Sequence, residues 1–287
     1  MSQIYEPDRA IIEADGTHHY GLIRTAAEKT FAVTMSAAGI DLPEVNVADL
    51  PESQGIENWC QIEDQMQQGS CQGNARTTAE EVALYRQTEG TVIQLSRQFA
   101  YITSQKEDGI NGDRGSTMEG GAKASTRVGS CLEELAPYTG KYYTKFSQAA
   151  YDDAATRKLT SWVRLESYMD VLKWQVWGIG GAVIGIGWNG TMEPDGQGKI
   201  ERYSSGGGGH ALALPQWNKR FMDAGGMPYL DMFNSWSKRW GFQGRAFIKP
   251  SIVDYWCKNE TVLGYSKMSI KDIKPKSYDW LKQSFYV

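Results

Sequence analysis

The period of the hydrophobic pattern changes once along this chain, and that change limits the fold more than any other feature. Residues 75–87, ARTTAEEVALYRQ, set Ala75, Ala79, Val82 and Ala83 at helical spacing, with Glu80 and Glu81 predicted to face outward. Ser96 is placed to cap a second helix through Phe99, Tyr101 and Ile102. A third helix is predicted from about 121 to 128, and a fourth over 147–157. Past residue 160 the period shortens. TSWVRLE (160–166) alternates, and GAVIGIGW (181–188) is an apolar run of strand length. HALAL (210–214), YLDMF (229–233) and RAFI (245–248) read the same way. Helices first and strands second predict an α+β fold with a helical lobe at about 57–140 and a sheet lobe at about 141–249. Residues 1–56 and 250–287 read as extensions, and 108–118 and 195–209 as loops. No internal repeat is present.

Composition narrows the function classes. With 30 Lys+Arg against 34 Asp+Glu, the net charge of −4 gives neither a basic nucleic-acid clamp nor a polybasic membrane patch. The first residues, MSQIYEPDRAII, lack the basic-then-apolar pattern of a signal peptide, and no apolar run reaches membrane-span length. We therefore expect a cytoplasmic protein or one held in an intracellular or virion assembly. Three His and four Cys without C-x-x-C spacing point to no metal site and no cofactor. Glycine and tryptophan cluster instead: sixteen of 31 Gly fall within 178–244, and eight of ten Trp within 162–256.

So few His and Cys can be weighed singly. His18 and His19 sit side by side in a polar stretch and read as solvated surface. His210 follows four glycines, Gly206 to Gly209, and opens an apolar strand. The Lys-Ser/Thr pair of a phosphate loop is missing there. Cys71 lies in QGSCQGNA, where the Gly69-Ser70 turn leads into the first helix. A helix N-terminus favours the thiolate, so a lowered thiol pKa is expected. Asn234 opens NSWSKRWG, where its side chain could bond an imidazole and Trp236 could cover that bond. Cys71, His210 and Asn234 come in that order, the first two 139 residues apart.

The chain resembles the papain-like cysteine peptidases (family C1) between about Asn58 and Ile248. DQMQQGSC resembles the block that carries the family's nucleophile, with Gln65 at the oxyanion-hole glutamine. LSRQFAY and GSCLEELAPY are similar to its Leu-Ser-x-x-Phe-x-Tyr and Gly-x-Cys-x-Glu-Glu-x-x-Pro-Tyr stretches. Gly115-Ser116 matches the strip that binds substrate backbone, GGHALAL the histidine block, and NSWSKRWGFQGRAFI the asparagine block. Gln72 replaces the Trp that often follows the nucleophile, Gln68 replaces a disulfide cysteine, and Ser237 replaces a Gly. Only about 56 residues precede the core, without the usual long helical pro-segment, which argues against secretion and ordinary zymogen control.

The resemblance implies a two-lobe fold with the active site between a helical lobe and an antiparallel sheet or barrel. Cys71 would be the nucleophile, His210 its acid–base partner, Asn234 the orienter and Gln65 an oxyanion donor, supported by Trp236, Gly69 and Ser70. Gly115, Ser116, Ala211 and Trp240 would line the substrate cleft, the small Ala211 leaving room for a bulky apolar side chain. The substrate would be a polypeptide, with neither nucleic acid nor membrane as a partner. An alternative is a papain-fold component of a larger assembly such as a phage particle, docked through the two extensions and with or without activity. A third is transpeptidase, amidase or deubiquitinase-like chemistry on the same thiol.

Overall fold

A computed structural model of the 287-residue chain describes residues 11–13, 16–18, 20–24, 31–189, 192–204 and 206–267. The side chains of His18 and His19, and residues 268–287 on which the assembly reading leans, lie outside the described residues.

Strands β1 (Ile11–Glu13) and β2 (Gly16–His18) pair as a separate antiparallel ribbon. The helical lobe follows, with α1 (Cys71–Gln87), α2 (Arg97–Asp108), α3 (Met118–Arg127) and α4 (Gln148–Ala155). Each start has a local cause. Ser96, Thr117 and Ser147 accept hydrogen bonds from the third residue onward, Phe99, Gly120 and Ala150, and so cap α2, α3 and α4. Strand β3 (Ser161–Arg164), helix α5 (Tyr168–Val176) and strands β4 (Ala182–Trp188), β5 (Lys199–Ile200), β6 (Gly208–Met222), β7 (Pro228–Phe233) and β8 (Arg245–Ile248) come next. Helix α6 (Pro250–Asn259) and strand β9 (Thr261–Ser266) complete the described chain. The seven-stranded sheet has the order β3-β9-β4-β6-β7-β8-β5, antiparallel throughout except for the β5–β8 pair.

This architecture is mixed α+β, as expected, but its edges are not where the sequence places them. Strand β9, past the expected boundary at residue 249, is inserted between β3 and β4. Leu42, Leu50 and Ile56, before residue 57, are buried. The stretch expected to be loop at 195–209 holds β5 and the start of β6. Glu80 and Glu81 do not face outward. Both are buried, Glu80 against Arg76 at 2.7 Å and Ser125 at 2.6 Å, Glu81 accepting from Leu95 N–H at 2.8 Å. A helix whose every residue from Cys71 to Leu84 is buried has no solvent face for them.

The lobes meet along α1. Its small residues Ala75, Ala79 and Ala83 share an apolar cluster with Val183, Ala211 and Leu263 of the sheet. The junction is close enough that a Cβ on Gly181 would lie 2.6 Å from the Ala79 Cα. A second, larger core lies under the sheet, around the fully buried Trp174, Trp188, Trp217 and Trp256. Among the described residues no helix is long and apolar enough to cross a membrane.

One buried ion cluster at the mouth of this junction makes stability pH-dependent. The Arg97 guanidinium faces two carboxyls, Glu63 at 2.8 Å and Glu133 at 3.3 Å. Burial pushes Glu63 from 4.5 up to about 7 against the pull of Arg97, and Glu133 adds to the rise. Glu63 therefore takes up a proton on folding. Its stabilisation is complete below about pH 4.5 and is lost as pH rises through about 7. At roughly 1.4 kcal/mol per unit, this difference is on the order of 3 kcal/mol. We expect thermal melts of Glu63→Gln, neutral throughout, to lose several degrees of the wild-type drop between pH 4.5 and 8. Parallel pH–stability curves for the two proteins would refute this origin.

Candidate active site

Cys71 is the first residue of α1 and is fully buried. It belongs to the helix because Ser70 turns the chain there; the Ser70 hydroxyl bonds the Tyr138 hydroxyl at 2.6 Å rather than capping the helix. Across the junction, His210 sits third in β6, paired with Ile186 of β4. Ala211, the next residue, shares a buried cluster with Cys71 and with Leu22. The thiol and the imidazole thus come from neighbouring positions on opposite lobes.

The imidazole is fixed from several sides. Its Nε2 lies 2.8 Å from Asn234 Oδ1, which also accepts from the Ser235 N–H at 2.8 Å. Asn234 leaves β7 with its own N–H on Gly244 O at 3.1 Å, which anchors the amide. Trp236 stacks on the His210 ring, centroids 4.6 Å apart and planes at 22°. Trp188 and Tyr20 meet the ring edge-on at 5.6 and 5.8 Å. Trp240 is buried behind them, 5.9 Å from Trp236 and 5.7 Å from Trp188. Three of the tryptophans in this half of the sequence, Trp188, Trp236 and Trp240, thus gather around the His210 ring.

Gln65 is joined to the segment that follows Asn234. Its Nε2 donates to Gln68 O at 2.9 Å, its Oε1 accepts from Ser235 Oγ at 2.7 Å, and its backbone N–H donates to Ser235 O at 2.8 Å. The residue after Asn234 therefore sets the amide of Gln65, tying the two together. Gln68, standing where a disulfide cysteine was expected, donates to Gln98 instead. All four cysteines are free and buried.

The Gly115-Ser116 strip is carried by residues the sequence did not single out in this role. The Tyr101 hydroxyl accepts from Gly115 N–H at 2.9 Å and donates to Asp113 at 2.7 Å, while Gln105 donates to Gly115 O at 2.9 Å. Asp113 also receives the Gly69 N–H at 3.0 Å. Tyr101 lies in the LSRQFAY stretch, but only the fold shows that its hydroxyl holds the strip.

A segment of the chain itself lies in the cleft. Leu22 N–H donates to Gly209 O and Ile23 N–H to Ser116 O, each at 3.0 Å; Gly21 O accepts from Ser116 N–H at 2.9 Å. The Leu22–Ser116 bridge is parallel. Leu22 is fully buried in the cluster that holds Cys71, Met118 and Ala211. Arg24 then pairs with the buried Glu260 at 2.7 Å on the sheet lobe. This strap is not the long helical pro-segment whose absence the sequence suggests. It is a short extended piece threaded between glycines. A Cβ on Gly21 would lie 1.9 Å from Gly69 O, and one on Gly209 would lie 2.0 Å from Leu22 O.

The strap overturns one expectation. The helix N-terminus predicts a lowered thiol pKa, but burial pushes Cys71 up to about 11, outweighing the backbone hydrogen bonds at Ala211 and Gly21.

Among the described residues no three His, Cys, Asp or Glu side chains are grouped to hold a metal ion. The profile of the papain family cysteine proteases matches residues 48–264. No curated protein sequence matches. Among solved structures, xylellain, a cysteine protease from Xylella fastidiosa, superposes with a TM-score of 0.69 at 20% identity, covering 93% of this chain and 99% of its own. The bromelain protease of Ananas comosus, in complex with the E64 inhibitor, gives 0.60 at 16% identity over 76% of this chain and 100% of its own. Digestive procathepsin L 3 of Tenebrio molitor larval midgut gives 0.61 at 20%, covering 76% and 70%.

Proposed function

The chain belongs to the papain family of cysteine proteases, and on that footing we propose that it is an endopeptidase working through Cys71, His210 and Asn234, with its own strap closing the cleft. The observation that carries this reading is the buried His210–Asn234 bond of 2.8 Å beneath Trp236, beside a thiol at the start of α1. When the strap leaves, water reaches Cys71 and the burial that holds the thiol neutral is removed. The helix N-terminus and a protonated His210 then favour the thiolate. The thiolate attacks a peptide carbonyl carbon, and the oxyanion accepts from the Cys71 N–H and from the Gln65 amide that Gln68 and Ser235 hold in place. His210 gives its proton to the leaving amine, and the C–N bond breaks to leave a thioester. A water, deprotonated by His210, then releases the acid and restores the thiol. Asn234 keeps the imidazole in one orientation through both proton transfers.

The strap also indicates what the cleft accepts. The Leu22 side chain occupies a space bounded by Met118 and Gly185, where an added Cβ would come 2.8 Å from Leu22 Cδ2. With Ala211 alongside, this space suits a leucine-sized apolar side chain of a substrate polypeptide. Trp240, behind Trp236, supports the leaving-group side.

The test uses E64, the inhibitor bound by the bromelain neighbour, on the full chain with its strap displaced by mutation. We expect one equivalent of E64 on Cys71 by mass spectrometry and loss of peptide hydrolysis in step with labelling. Labelling spread over Cys60, Cys131 and Cys257, or hydrolysis that survives full labelling of Cys71, would overturn the reading.

A further inference from the structure

The bond that orients His210 leaves part of Asn234 unanswered. Its Oδ1 takes both the imidazole and the Ser235 N–H, while its Nδ2, in a residue only 2% exposed, has no protein partner. Three residues into α1, Asn74 shows the complementary defect. Its Nδ2 donates to Ser70 O at 2.9 Å and Ser70 Oγ at 3.1 Å, and its Oδ1, in a residue 1% exposed, has no partner. Neither can be cured by exchanging the amide atoms. Rotating Asn74 would set its oxygen against the Ser70 carbonyl, and rotating Asn234 would set its NH2 against the Ser235 N–H.

Both residues line one cavity between the lobes, together with Glu63, Thr78, Ala211 and Ser235. Its volume is ≈ 10 Å³, about the room that the centre of a single water needs. Buried polar groups are nearly always paired, with protein or with an ordered water, and the residues that carry this donor and this acceptor share one water-sized space.

The geometry points to a structural water that donates to Asn74 Oδ1 and accepts from Asn234 Nδ2, making Asn74 a positioning residue for the Asn234–His210 pair. This rests on His210 being the acid–base group. The water ties the orienting amide, on the sheet lobe, to the same helix that begins with the thiol. Asn234 is then held at both ends: Oδ1 by the imidazole and Ser235, Nδ2 by the water on α1. The distance between the thiol and imidazole is set by a polar link as well as by apolar packing.

Two measurements decide it. A high-resolution crystal structure of the full chain needs no variant; it should show a density peak within hydrogen-bond distance of both Asn74 Oδ1 and Asn234 Nδ2. An empty cavity, or either amide satisfied by another protein group, overturns the inference. In the strap-displaced protein, Asn74→Leu, similarly branched though larger and without the acceptor, should lower kcat about tenfold with KM unchanged. It should also move the upper limb of the pH profile to lower pH, because the imidazolium is less well held. Wild-type kcat and an unmoved pH profile in Asn74→Leu would overturn the positioning role. A parent protein that cleaves no peptide would instead overturn the peptidase reading, and the density peak would still decide the water.

Discussion

Replacing His210 by alanine in a strap-displaced chain is expected to lower kcat by about 10⁴-fold or more while changing KM little. The imidazole serves three steps: it stabilises the thiolate, protonates the leaving amine and deprotonates the hydrolytic water. No second histidine among the described side chains could substitute for it. Asn234→Ala should cost less, about 10²-fold, because an unoriented imidazole still carries its proton. Trp236→Ala separates the contributions further. It leaves the Asn234 amide in place but opens the face of a ring now stacked at 4.6 Å, so the pH profile should shift more than KM does. The same loss in all three variants would mean that they disturb the fold and not the chemistry. Wild-type turnover in His210→Ala would remove the proposed mechanism altogether.

The residues in this argument were legible because they sit where local rules are strong. A Gly-Ser turn before a helix places Cys71 at an N-terminus whatever packs around it, and an apolar run after glycines places His210 at a strand entry. Ser96 was legible as a cap for the same reason. What the sequence hid is non-local. Helix α5, YMDVLKWQV, is buried on most of its surface, so it shows no clean amphipathic stripe. Strand β6 runs fifteen residues to Met222, past Pro215, which by itself argues against a central strand. The sheet tolerates the proline because the pairing with β7 shifts register between Ala213 and Gln216. The glycine run before His210 looked like a loose loop, yet Gly208 and Gly209 lie within the strand and leave space for Tyr20 and Leu22.

The strap is the clearest case, since Tyr-Gly-Leu-Ile carries no motif and its role exists only through Ser116, Gly209 and Gly69. Its removal supplies the second large effect: Gly21→Ala is expected to raise the rate of Cys71 alkylation at pH 7 by at least about 10²-fold. The added Cβ would fall 1.9 Å from Gly69 O, a backbone atom that cannot swing aside. A clash of that kind costs several kcal/mol, and each 1.4 kcal/mol shifts the closed–open balance tenfold. The sign of the pH effect follows from the same contact. With the strap seated, the thiol is neutral until pH nears its raised value of about 11, so wild-type labelling should climb only in alkali. In Gly21→Ala the dominant cause, burial, is gone, and labelling should already be substantial near neutral pH. Gly196→Ala is the control, because a Cβ there meets nothing within 4 Å. Arg24→Ala should open the cleft more weakly, since it removes only the pair with Glu260 and leaves the Leu22 pocket filled. If Gly21→Ala folds like the parent but labels no faster and cleaves no more peptide, the strap is not what closes the site.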